Sequence, residues 1–154
     1  RSRDLFSLAV LEGKLYAVGG FDAGRCVERY DPATNAWEEV APMAEARSDH
    51  AVAVLNSKLY AVGGDGGFFG GDILSSVERY DPAANSWEAV APVAAGRSNH
   101  GVAVLDGKLY VVGGLSRDRD VADWHPASLR WLSSVERYDP ALDAWEAVAP
   151  MAAR

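Results

Sequence analysis

Three near-copies of one unit fill the chain, and that internal repetition constrains its folding more than any other feature. The segment LYAVGG closes at Gly19-Gly20 and again at Gly63-Gly64, and its variant LYVVGG closes at Gly113-Gly114. VERYDP begins at Val27, Val77 and Val135 and contains Tyr30, Tyr80 and Tyr138; Trp37, Trp87 and Trp145 follow in step. Equivalent tyrosines lie 50 and 58 residues apart, whereas the double glycines lie 44 and 50 apart. Length therefore varies only between the double glycine and VERYDP, in one loop per unit. The copies are so alike (HAVAVLNSKLYAVGG at 50–64 against HGVAVLDGKLYVVGG at 100–114) that either recent duplication or consensus-style construction accounts for them.

Within a unit the pattern is β throughout. HAVAVL at 50–55, KLYAVGG at 58–64, SVERYD at 76–81 and SWEAV at 86–90 are short β-branched or aromatic runs bounded by turn residues, and no stretch has a helical period. Glu12-Gly13, Asn56-Ser57 and Asp106-Gly107 join the first two runs, and Asp-Gly is the usual type I′ hairpin pair. Between the third and fourth runs Pro32, Pro82 and Pro140 preset a turn, while Asn35, Asn85 and Asp143 tolerate the left-handed region. Each unit is expected to be a four-stranded antiparallel meander. Its inner runs are apolar on both faces, which only neighbouring sheets can cover. The double glycine is expected where backbone meets a bulky side chain, for example the Tyr or Trp.

Four hydrophobic residues, Gly-Gly, then a spaced Tyr and Trp resemble the kelch repeat, and the units look most like those of the Kelch-like substrate adaptors of cullin ubiquitin ligases. The resemblance implies an all-β fold, a β-propeller with one four-stranded blade per repeat, and covers a single kelch-repeat region over residues 1–154 with blades at 3–46, 47–96 and 97–154. Those adaptors typically have six blades, and this chain departs from them in carrying three, with no BTB or BACK region. Propellers usually close with four to eight blades. Left open, the first and third blades would turn large apolar faces to water. Two completions are open: a second copy arranged head to tail about a two-fold axis, or further blades of a longer chain. The homodimeric six-bladed ring is the expectation carried forward.

Composition narrows the function. At 154 residues, 49% hydrophobic, the chain has the makeup of a folded protein, and it holds no apolar run of the length that spans a bilayer. A formal charge of −7 with dispersed basic residues disfavours nucleic acid, and one cysteine, Cys26, excludes an intrachain disulfide and fits a cytoplasmic setting. Some kelch propellers are sugar-active copper oxidases that use two histidines, two tyrosines and a cysteine crosslinked to one of the tyrosines. Here His50 and His100 share one repeat position, with Phe6 in the first copy, and Cys26 aligns with Ser76 and Ser134, so these read as structural residues. Glu28, Glu78 and Glu136, like Asp31, Asp81 and Asp139, recur in every blade and read as blade-holding groups. No unique catalytic constellation stands out, and neither enzyme activity, a cofactor nor a metal is expected. The two other functional classes in view are a sugar-active propeller enzyme and an assembly with no ligand.

Recognition fits better, because variable loops on a rigid scaffold commonly carry binding. The first loop is short, Phe21 to Cys26; the second runs Asp65 to Ser76 with Phe68 and Phe69; the third runs Leu115 to Ser134 with Arg117, Arg119, Trp124, His125, Arg130 and Trp131. Trp and Arg are enriched in interface hot spots, although the two tryptophans could instead fold back on their own blade. In the Kelch-like adaptors the arginine and small polar residue before each innermost strand line the channel mouth, which implies Arg3, Arg47 with Ser48, and Arg97 with Ser98 here. Such a ring of guanidinium groups would suit an acidic peptide or protein segment. The other reading of these arginines is hydrogen bonding to turn carbonyls, and Asp4 breaks the Arg-Ser pattern in the first unit.

Overall fold

The computed structural model describes residues 3–67, 72–118 and 128–152. Three four-stranded antiparallel sheets follow one another along the chain. The first blade comprises β1 (Ser7–Leu11), β2 (Lys14–Val18), β3 (Val27–Asp31) and β4 (Ala36–Val40), and the second β5 (Ala51–Leu55), β6 (Lys58–Val62), β7 (Val77–Asp81) and β8 (Ser86–Val90). The third contains β9 (Gly101–Leu105), β10 (Lys108–Val112), β13 (Val135–Asp139) and β14 (Ala144–Val148), with a separate hairpin of β11 (Leu115–Arg117) and β12 (Leu129–Trp131) inserted between β10 and β13. Strand order within each blade is the order of the sequence, so each is a plain meander.

Local chemistry sets these elements. Both residues of each first hairpin turn lie at positive φ, at 49° and 71° for Asp106-Gly107, as a type I′ turn requires. Asn35, Asn85 and Asp143 take φ of 52°, 46° and 46° in the second turn, and each side chain accepts the hydroxyl of the tyrosine five residues earlier. Register then sets Tyr30 opposite Trp37, Tyr80 opposite Trp87 and Tyr138 opposite Trp145, with ring centroids 5.1–5.4 Å apart.

The innermost strands β1, β5 and β9 lie side by side, and the apolar core consists of two layers, one in each joint between blades. The first layer holds Leu11, Tyr16, Val18 and Met43 against Leu59, Ala61 and Tyr80; the second holds Leu55, Tyr60, Val62 and Val93 against Leu109, Val111 and Tyr138. Tyr16 meets Tyr80 at 5.7 Å between centroids, and Tyr60 meets Tyr138 at 5.6 Å. Among the described residues, only the second blade is covered on both faces.

The double glycine has a different neighbour from the one expected. A Cβ on Gly19 would lie 2.6 Å from the Arg47 carbonyl oxygen and 2.9 Å from the His50 ring, and one on Gly114 would lie 2.7 Å from the Ser98 carbonyl oxygen. The segment leading into an innermost strand, with its histidine, occupies the space rather than a Tyr or Trp. Backbone at φ of 61° and 97° at these two glycines adds a second requirement.

Candidate functional site

Each lead-in segment runs beneath the variable loops, and its arginine turns inward. Arg47 donates to the carbonyl oxygens of Gly63 at 2.9 Å and Ser76 at 3.0 Å, which end β6 and precede β7, and forms an ion pair with Glu78 at 2.9 Å. Arg97 repeats this with Gly113, Ser134 and Glu136, and Arg3 with Gly19, Cys26 and Glu28. The same carboxylates reach the preceding segment: Glu78 accepts the Ala44 N–H at 2.6 Å and Glu136 the Ala94 N–H at 2.7 Å. Burial pulls the Arg97 guanidinium below its ordinary value, with Glu136 acting against it. Ser48 pairs its backbone with Asp65, and Ser98 with Leu115, each through two hydrogen bonds, and both serines are buried. Arg3, Arg47 and Arg97 therefore brace the variable loops through carbonyls of their own blades, while Ser48 and Ser98, whose backbones pair with those loops, also border the opening near the axis.

The loops themselves meet between the second and third blades. A groove of about 450 Å³ there is lined by Ser75, Gly96, Ser116, Arg117, Asp118 and Arg130, among others. Beside it the axial opening is bordered by Asp49 and Asp65. Burial, followed by the neighbouring Asp49 carboxylate, holds Asp65 above the usual carboxylate range, while Arg117 acts the other way. Trp131 stands on β12 at 76% exposure beside exposed Leu129 and Arg130, so it does not fold back on its blade. Phe68, Phe69, Arg119, Trp124 and His125 lie outside the described residues. Among the described residues, no group of three or more His, Cys, Asp or Glu side chains converges to hold a metal ion, and no helix is long and apolar enough to cross a membrane.

Two features escaped the sequence reading. The hairpin β11–β12 lies inside a stretch taken as loop, and its three-residue strands, LSR and LRW, are too short to show alternation. Asn85 and Asp143 read as turn residues, yet each also accepts a backbone N–H from the previous blade, Ala41 at 3.0 Å and Ala91 at 2.9 Å. The recurrence of Asn or Asp two residues before each tryptophan was the available signal. His50 is packed against Gly19, and burial, then Arg47, push its ring down to about 3; His100 is pushed down to about 4 by burial and Arg97. Both are neutral at physiological pH and serve as packing.

Comparison with known proteins accords with this architecture. The Kelch motif matches three times, over residues 2–44, 46–93 and 96–152. A 48-residue stretch is 54% identical to Kelch-like protein 35 of Homo sapiens, and a 49-residue stretch is 43% identical to Kelch-like protein 21 of Danio rerio. These cover 29% and 30% of this chain and 8% of each relative, so the chain spans a small part of the curated relatives it matches. The solved structure of YjhT superposes with a TM-score of 0.82 at 20% identity, covering 97% of this chain and 51% of that one, a likeness of fold.

Proposed function

Because this chain belongs to the kelch-repeat family, its motif matching three times over, we propose that it is a non-enzymatic protein-interaction scaffold, three propeller blades completed to a six-bladed ring by a second copy and reading a protein partner on its loop face. A cytoplasmic setting is part of the same reading. The observation that carries it is that the described parts of the length-variable segments, Asp65 and residues 72–76, 115–118 and 128–134 among them, gather at one end of the blades. Repeated residues are spent on the blade itself: Lys14–Asp31, Lys58–Asp81 and Lys108–Asp139 are intrablade ion pairs, as are Arg29–Glu38, Arg79–Glu88 and Arg137–Glu146. What differs between blades is the loop chemistry, above all the β11–β12 hairpin with Arg130 and Trp131.

An acidic peptide segment is the ligand class this face favours. Arg117 and Arg130 flank the groove, Trp131 offers a large exposed aromatic surface, and guanidinium groups bind carboxylates with two parallel hydrogen bonds. The arginines beneath, being internally paired, hold this surface in place. The test is fluorescence anisotropy with a labelled glutamate-rich decapeptide. Binding that weakens with salt and is lost in Arg130→Glu supports the reading; absence of binding, or binding unchanged in Arg130→Glu, contradicts the acidic-ligand assignment.

A further inference from the structure

The two joints inside the chain are built from the same parts. At the first, the Trp87 indole N–H donates to the Ala41 carbonyl at 2.8 Å, Asn85 accepts the Ala41 N–H, Glu78 accepts the Ala44 N–H, and Met43 fills the space beneath. At the second, Trp145 donates to the Ala91 carbonyl at 2.7 Å, Asp143 accepts the Ala91 N–H, Glu136 accepts the Ala94 N–H, and Val93 fills the space. One side of each joint is a Trp, an Asn or Asp and a Glu; the other is an Ala-Pro-Met-Ala or Ala-Pro-Val-Ala segment.

Each half occurs once more. The first blade carries Trp37, Asn35 and Glu28 at these positions, and the third is followed by Ala149-Pro150-Met151-Ala152, and among the described residues no blade faces either set. Exposure marks both halves as open. Met43 and Val93 are 1% and 2% exposed, but Met151 is 46% exposed. Leu11 and Leu55 are 2% and 3% exposed, but Leu105 is 58% exposed. On the first blade, Phe6, Leu8, Leu15, Ala17 and Trp37 line an apolar groove. The tyrosine pairs Tyr16–Tyr80 and Tyr60–Tyr138 leave Tyr110 on the third blade and Tyr30 on the first in corresponding seats.

We propose that these two faces are the halves of a third joint of the same design, and that a second copy of this chain, head to tail, brings them together twice around a two-fold axis. This rests on the reading that a second copy completes the ring, and adds how it docks. Trp37 of one protomer donates to the Ala149 carbonyl of its partner, Asn35 and Glu28 accept the Ala149 and Ala152 N–H groups, and Met151 enters the layer that Met43 and Val93 occupy within the chain. Continuity with a joint already made twice selects this occupant. Superposition of the three blades on 51% of the YjhT chain accords with a half-ring. The contact is heterologous, first-blade face to third-blade face, and such contacts end only by closing a ring. Phe6 stands where His50 and His100 stand in the inner joints, so the seam carries an apolar ring in that seat.

Light scattering on the 154-residue chain and two variants tests this, with circular dichroism reporting the sheets. Leu8→Glu charges the first-blade face and Leu105→Glu the third-blade face, both at side chains exposed in the single chain. The expected masses are twice 16.5 kDa for the unmodified protein and 16.5 kDa for each variant with its sheet signal kept, because one charge spoils both seams. Met151→Asp, beyond the last strand, repeats the third-face arm without touching a sheet. An unmodified protein at 16.5 kDa overturns ring completion and the seam together. A dimer that survives any of these variants overturns the head-to-tail seam alone, because it must be joined through a single type of face. Masses that climb past the dimer with concentration overturn closure.

Discussion

Leu55 and Leu105 hold the same place at the end of an innermost strand, one sealed in a joint and the other open to solvent. The blades around them are alike: each keeps its Lys–Asp pair, its Arg–Glu pair and its Tyr–Trp stack. The difference between the middle and outer blades is therefore a difference in neighbours. A blade of this kind organises its hydrogen bonds and charges by itself, while its apolar faces become a core only when the next blade arrives.

Substitutions at matched positions sharpen that comparison. Arg47→Ala strands the buried Glu78 carboxylate and is expected to lower unfolding free energy by about 3–5 kcal/mol in urea titration. Arg3→Ala is expected to cost less, since Glu28 is the more exposed partner. Equal losses would show that the first blade is no looser than the second. Next in size, Met43→Ala is expected to cost about 3 kcal/mol, whereas Met151→Ala in the Leu8→Glu background stays within about 0.5 kcal/mol. A comparable loss at Met151 in that monomer would mean that the third face is covered from within the chain.

Acid gives the third contrast. His50 and His100 have folded-state values below the ordinary 6.5, so the unfolded chain binds protons more readily. Their stabilising contribution is complete above pH 6.5 and is lost as pH falls toward about 4 for His100 and about 3 for His50. Between pH 6.5 and 5 the expected loss is about 2 kcal/mol for each histidine. Replacing both with phenylalanine, the residue the first unit already has, is expected to flatten the profile; an unchanged slope would assign acid sensitivity to other groups. Smallest of all, Trp131→Ala is expected to leave stability within about 0.5 kcal/mol while weakening peptide binding. A large stability loss would make this side chain part of the blade.

The blades were legible because repetition, type I′ hairpin pairs and alternating strands are local signals. KLYAV, with its variant KLYVV in the third unit, and VERYD fall in strands in all three units, at Lys58–Val62 and Val77–Asp81 in the second. The inward turn of Arg47 and Arg97 was harder to read, since an arginine ahead of a strand has the same local sequence whether it meets a ligand or the Glu 31 or 39 residues later. Distance in sequence hid that partner. The likeness to adaptor repeats implied an open arginine ring, whereas Arg47 and Arg97 are buried and Arg117 and Arg130 line the groove.

Amide hydrogen exchange at Ala149, read beside Ala41 and Ala91, tests most directly whether the outer faces are unfinished joints. In the chain the Ala41 and Ala91 N–H groups are held by the side chains of Asn85 and Asp143. If Asn35 of a second copy holds Ala149 in the same way, its exchange is slow at high protein concentration and accelerates on dilution, while Ala41 and Ala91 do not change. Fast exchange at Ala149 at every concentration would contradict the account.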